Sequence, residues 1–233
     1  MCAQLWGLEV NLDLKAMILA GAAAMAIAIP ASAEADAKVV LTEEPTGSEA
    51  GAGAADDRAV DLVSAVGAEA LRALQQPSEA RQTAMAQIIE RYVDLGFVLR
   101  SSLPPDLLAA LDDGERVAVV KAYQAFAAAD YARVFEAYGG EQIDILSVTM
   151  MSSDVARVET RLRSSQIEGG GVMLSLIVAG LDTGRPGLRD LIVDGASTLA
   201  TQQALIAELW AAVGQDKKAF LQEISAADPW AGE

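Results

Sequence analysis

The hydrophobic period of this chain changes once, at Gly139-Gly140, and that change constrains the fold more than any motif. Upstream, apolar residues recur at three-, four- and seven-residue spacings, the pattern of helices with one buried face. Val60, Val63, Ala70, Leu71 and Leu74 mark a first helix from about Asp57 that stops near Pro77. A second is expected from Ser78 to Leu99, with Met85, Ile88, Ile89, Tyr92 and Leu95 on one side. Pro104-Pro105 opens a short helix to Leu111, because proline suits a first helical turn. The longest helix is expected from Gly114 to Tyr138, on a stripe of Val117, Val120, Tyr123, Ala127, Tyr131, Val134, Phe135 and Tyr138.

Downstream of the glycine pair the period is two. Ile143, Ile145 and Val148 start a strand region. Ala156, Val158, Thr160 and Leu162 then alternate with Arg157, Glu159, Arg161 and Arg163, giving one dry face and one charged face. Gly169 to Gly171 form a turn, and Val172 to Leu181 are apolar on both sides, as in a central or doubly covered strand. After a turn at Gly184, Pro186 and Gly187, Leu191, Ile192 and Val193 form a strand that runs through Gly195 straight into a helix. Ser197 or Thr198 can cap that helix, which continues to Trp210. A last helix spans about Asp216 to Ala226. Helices, then strands, then helices make an α+β fold: N-terminal helices, an antiparallel sheet of about four strands, and C-terminal helices covering one face of it.

The N-terminus stands apart from this pattern. Ala16 to Ile29 is an apolar run followed by Pro30-Ala-Ser-Ala33, an h-region with a small-x-small cleavage site. It is shorter than the about 20 residues a membrane-spanning helix needs. Residues 1–33 are therefore expected to be a signal peptide cut near Ala33, and 34–57, rich in Gly, Pro and acidic residues, a disordered linker. Residues 58–227 are expected to form a single domain.

The chain has no histidine, and its one cysteine, Cys2, lies in the segment expected to be removed. Ser-His-Asp and Cys-His catalysis are excluded, and a zinc or haem site lacks its usual ligands. No enzyme, catalytic residue, metal ligand or cofactor is expected. Asp56-Asp57 and Asp112-Asp113 precede helices, where carboxylates favour the helix dipole. Gly169 to Gly171 lack the Lys-Ser/Thr of a phosphate loop. Arg157, Arg161 and Arg163 allow two readings: a grip on phosphate or on an acidic partner, or a solvated face balanced by Glu159. Met150, Met151 and Met173 lie in strands, either lining an adaptable pocket or packing in the core.

The net charge is −16, and removing Glu9, Asp13 and Lys15 with the leader leaves −15. Such a charge repels nucleic acid and anionic bilayers, so neither nucleic-acid binding nor stable membrane insertion is expected.

Three segments carry a family resemblance: Glu115-Arg-Val-Ala-Val-Val-Lys-Ala-Tyr-Gln-Ala-Phe, Asp130-Tyr-Ala-Arg-Val-Phe-Glu-Ala-Tyr-Gly-Gly-Glu-Gln-Ile, and Asp190-Leu-Ile-Val-Asp-Gly-Ala-Ser. With the exported helices and the meander, they resemble the MlaC/toluene-tolerance auxiliary family over about Asp61 to Ser225. In the last segment Asp190, Gly195 and Ser197 match the family pattern, while Asp194 replaces Glu and Ala196 replaces Val. Tyr92-Val-Asp-Leu-Gly-Phe stands where relatives carry His-x-Pro-x-x-Asp, and Leu103-Pro-Pro-Asp-Leu-Leu replaces a Leu-Gly-x-x-Trp element. The tryptophan that normally precedes the final strand is absent as well.

The resemblance implies a periplasmic phospholipid carrier of the Mla ABC transport system, which maintains outer-membrane lipid asymmetry. Its implied partners are phospholipid, an outer-membrane lipoprotein and an inner-membrane MCE-domain ABC transporter, with the carrier itself a monomer. A hopanoid-associated carrier of the same family, or a periplasmic interaction module that has filled the pocket, are the alternatives. Exposing two acyl chains to water costs about 20 kcal/mol or more, so a carrier needs a deep apolar cavity between sheet and helices. The residues expected to line it are Val117, Tyr123, Tyr131, Val134, Val158, Leu162, Leu174, Leu176, Val178, Ile192 and Leu199, with sheet-facing core as the alternative for each.

Overall fold

A computed structural model describes residues 39–41, 53–134, 142–163 and 171–226. The expected signal peptide, the Gly139-Gly140 helix stop and the Gly169-Gly170 turn lie outside the described residues.

Seven helices and six strands are described: β1 (Val39–Leu41), α1 (Gly53–Leu74), α2 (Ser78–Tyr92), α3 (Leu95–Ser102), α4 (Pro105–Ala110), α5 (Asp113–Val134), β2 (Gln142–Met150), β3 (Val155–Arg163), β4 (Val172–Ala179), β5 (Gly187–Val193), β6 (Ala196–Ser197), α6 (Thr198–Ala212) and α7 (Lys217–Ala226). The fold is α+β. One sheet carries the order β1-β2-β3-β4-β5-β6, and β2 to β6 form an antiparallel meander. β1 adds to its edge in parallel with β2, Val39 opposite Ile143.

Three elements correct the sequence expectations. The stretch 34–57 contains a strand and the first turn of α1, because Val39-Val-Leu is strand-prone and Gly53-Ala-Ala leads directly into the helical stripe. The helix expected over Ser78 to Leu99 is two helices. It stops at Val93, whose extended backbone (φ −91°, ψ 133°) makes a parallel bridge with Leu188. Asp94 then caps α3, its Oδ1 accepting from Phe97 N at 2.9 Å, while its own N–H donates to Leu188 O at 2.8 Å. Finally, β5 does not run straight into a helix. Asp194 (φ 47°) and Gly195 (φ 88°) make a two-residue turn with both φ positive, and the chain doubles back as β6 before α6 begins.

The sheet alternates as its sequence demands. On one face Ala156, Val158, Thr160 and Leu162 stand opposite Val178, Leu176, Leu174 and Val172, all buried except the half-buried Leu174. α1 packs on this face over β2 and β3, burying Ala55, Ala59, Leu62 and Val63 against Val158 and Val178. α2 packs on α1 and α5 through Leu71, Leu74, Met85, Ile89 and Ala127. α4 to α7 close a third cluster around Leu107, Leu111, Trp210 and Phe220, the last two rings meeting edge-on at 5.9 Å. Asp112 and Glu115 form a capping box at the start of α5: Glu115 N donates to Asp112 Oδ1 at 2.8 Å, and Asp112 N donates to Glu115 Oε2 at 2.9 Å.

Candidate functional site

Between the sheet and the helices lies a cavity of about 210 Å³. Its floor is the helix-facing side of the sheet: Ile143, Thr160, Leu162, Leu174, Leu176, Leu188 and Leu191. α1 contributes Val63, Val66, Gly67, Ala70, Leu71 and Leu74, a helical face in which the spacings of three and four are visible residue by residue. Met85, Ile88 and Ile89 of α2, Val98 of α3, Tyr123 and Ala127 of α5, and Thr198, Leu199 and Gln202 of α6 complete the wall. The lining is almost wholly aliphatic.

Five of the eleven residues expected from sequence lie here: Tyr123, Leu162, Leu174, Leu176 and Leu199. Val158 and Val178 are fully buried on the same sheet face, packed with α1 in the core beside the cavity. Ile192 pairs with Ser175 and so belongs to the opposite face, one residue out of step with Leu191. Val117 is 54% exposed, on the outer side of the helix that turns Val119, Val120 and Tyr123 inward. The side chains of Tyr131 and Val134 lie outside the described residues. Sequence reasoning missed the α1 and α2 walls. Their stripes were visible as helical period, but a stripe facing a cavity and one facing a core have the same spacing.

The polar groups of the lining are few. Asp190 Oδ2 accepts from Ser197 Oγ at 2.6 Å, and its Oδ1 accepts from Leu199 N at 3.0 Å and Thr198 Oγ1 at 3.2 Å. The carboxylate thereby supplies the start of α6 with acceptors. Arg189, the extra residue of a β-bulge between Leu188 and Asp190, donates from Nε to Asp94 Oδ2 at 3.1 Å and stacks 4.5 Å from the Phe97 ring centre. Thr160 Oγ1 donates to Leu174 O at 3.2 Å. Burial, with the nearby Asp190 charge adding to it, pushes the Tyr123 phenol up to about 12, so it is protonated at neutral pH.

The far face of the sheet is polar. Arg157 donates to Ser175 Oγ at 2.9 Å, Ser175 donates to Glu159 at 2.6 Å, and Arg157 pairs with Glu159 directly. Arg163 pairs with Asp144 and donates to Gln142 Oε1 at 3.0 Å. Two of the three arginines are thus balanced by carboxylates of their own sheet, as the solvated-face reading expects. Met151 and Met173 are exposed, at 62% and 36%, and do not line the cavity; Met150 packs against the core. Among the described residues no group of three or more His, Cys, Asp or Glu is placed to hold a metal ion, and no helix is long and apolar enough to cross a membrane.

The family model of the MlaC protein matches residues 60–219, which include every residue of the cavity wall. The chain belongs to the MlaC family. No curated protein matches it. Among solved structures, the phospholipid-binding protein from Ralstonia solanacearum, in complex with a phospholipid, aligns with a TM-score of 0.60. The alignment covers 71% of this chain and 94% of that chain at 10% identity, a likeness of fold. Asp190 and Ser197, two of the residues that carried the MlaC resemblance, are hydrogen-bonded to each other, and Gly195 lies in the turn between them.

Proposed function

We propose that this MlaC-family chain is a periplasmic phospholipid-binding carrier and not an enzyme. The observation that carries the reading is the 210 Å³ cavity walled by aliphatic side chains from the sheet and five helices. Flexible hydrocarbon chains gain about 0.8 kcal/mol per methylene by leaving water for such a wall. In this reading Tyr123, Leu162, Leu174, Leu176 and Leu199 touch the acyl chains. The phospholipid-binding protein of Ralstonia solanacearum is similar in fold, and it supports the ligand class. The transport partners are then an outer-membrane lipoprotein and an inner-membrane MCE-domain ABC transporter, with residues 1–33 directing export. The net charge of −15 left once residues 1–33 are removed favours collecting lipid from partner proteins over adsorbing to anionic bilayers.

The test is native mass spectrometry and solvent extraction of the protein purified from the cell envelope after expression of the full chain. Co-purifying phospholipid at near one lipid per protein is expected. Protein free of lipid that also takes none up from liposomes overturns the reading.

A further inference from the structure

A second cavity, of about 110 Å³, lies between α3, α5, α6 and α7. It shares Val98, Tyr123 and Gln202 with the larger one, so the two chambers meet at these side chains. One stripe of α6 runs past the junction: Leu199 lines the larger chamber, Gln202 lines both, and Leu205, Ile206 and Leu209 line the smaller. Spacings of three and four keep these residues on one face of the helix, so this wall is continuous from chamber to chamber.

The volumes decide what such a track can hold. An apolar cavity of about 150 Å³ takes one benzene, a molecule of six carbons. On that scale the 210 Å³ chamber holds about eight carbons and the 110 Å³ chamber about four. Two palmitoyl chains bring about thirty-two carbons, between two and three times the capacity of both chambers together. One chain threaded through the junction fills both chambers and leaves only a few carbons outside.

Widening the space is opposed by hydrogen bonds that fasten its walls to one another. Arg189 of β5 donates to Asp94, the cap of α3, at 3.1 Å, and Gln203 of α6 donates to Ser101 O of α3 at 2.9 Å. Asp190 holds the start of α6 to β5, and Gln124 of α5 donates to Ala86 O of α2 at 2.9 Å. Sheet and helices are thereby set at a spacing that suits one chain.

We infer that the ligand is a lysophospholipid, whose single acyl chain enters the larger chamber and passes Tyr123 into the smaller. The inference rests on the carrier reading and narrows it from phospholipids at large to those with one chain.

The experiment matches chain carbons and varies chain number. Palmitoyl-lysophosphatidylcholine and dioctanoylphosphatidylcholine share a headgroup and carry the same total of chain carbons, in one chain or in two. Dissociation constants are measured with the purified full chain, stripped of bound lipid, each ligand being kept below its micelle concentration. The track buries about twelve carbons of the lysolipid but only one octanoyl chain of the other, so the lysolipid should bind at least about tenfold tighter. In a series of lysolipids, affinity should rise about fourfold per methylene up to about twelve carbons and then level off. Ile206→Trp blocks the smaller chamber alone. It should weaken the palmitoyl lysolipid at least about tenfold and leave the dioctanoyl lipid unchanged. A thermal melt checks that the variant is folded; if it is not, the series on the unaltered chain decides alone. Equal affinity for the two lipids, a series still rising at palmitoyl length, or a folded Ile206→Trp that weakens both lipids alike overturns the single-chain site and leaves the carrier reading standing. Binding of neither lipid overturns the carrier reading itself, and the site with it.

Discussion

Asp190 accepts from Ser197 at 2.6 Å, and this bond ties the last long strand of the sheet to the helix that closes the cavity. The same carboxylate accepts from Leu199 N, and Leu199 lines the cavity one residue into the helix. Ser197 in turn caps α6 by accepting from Ala200 N at 3.0 Å. Asp190→Ala removes three hydrogen bonds and leaves the start of α6 short of an acceptor. The expected cost is about 1–3 kcal/mol, read as a lower urea midpoint with an unchanged slope. Asp190→Asn keeps one acceptor oxygen and should fall between the two. A midpoint unchanged in the alanine variant would show that strand and helix are held together by packing alone.

Packing around the cavity divides into residues that hold the fold and residues that shape the space. Leu199 is half-buried at the wall, whereas Leu71 is 1% exposed and belongs to the α1–α2–α5 core as well. Leu199→Trp should fill part of the cavity and lower the lipid recovered per protein, with the melting temperature kept or raised. Leu71→Ala should cost about 2–5 kcal/mol. If Leu199→Trp carries a full complement of lipid, the 210 Å³ space is not where the ligand sits.

Much of this architecture was legible in the chain. The period change at Gly139-Gly140 gave helices before strands, and the alternation from Ala156 to Arg163 placed a dry face and a charged face on β3. What escaped was decided by tertiary partners. Val93 ends α2 because it bridges to Leu188, 95 residues away, a contact no local pattern announces. The Asp194-Gly195 hairpin was hidden because β6 is two residues long, too short to show alternation. The cavity wall was only half legible: strand parity separates Leu191 from Ile192 only once the register with β4 is known. Helical period marked the stripes of α1 and α2 without telling a cavity from a core.

Acid sensitivity should centre on the start of α5. The Lys217 ammonium, 2.8 Å from Oε2, and then the Asp112 amide hold Glu115 below the usual carboxylate range. The unfolded chain, lacking these donors, takes up the proton at higher pH than the folded one. The contribution of Glu115 is therefore complete above its unfolded value of about 4.3 and is lost as pH falls through the lower folded value. Loss of the proton-free carboxylate loosens two joints at once, since Glu115 closes the α5 capping box and Lys217 also donates to Ala110 O at 3.1 Å, joining α7 to α4. Lys217→Met removes the largest cause of the depression and should make the fall of stability below about pH 4.3 shallower, at an unchanged slope above pH 6. The measurement is a series of urea midpoints across that range. Parallel curves for the variant and the unaltered chain would show that the Lys217–Glu115 contact does not persist in solution.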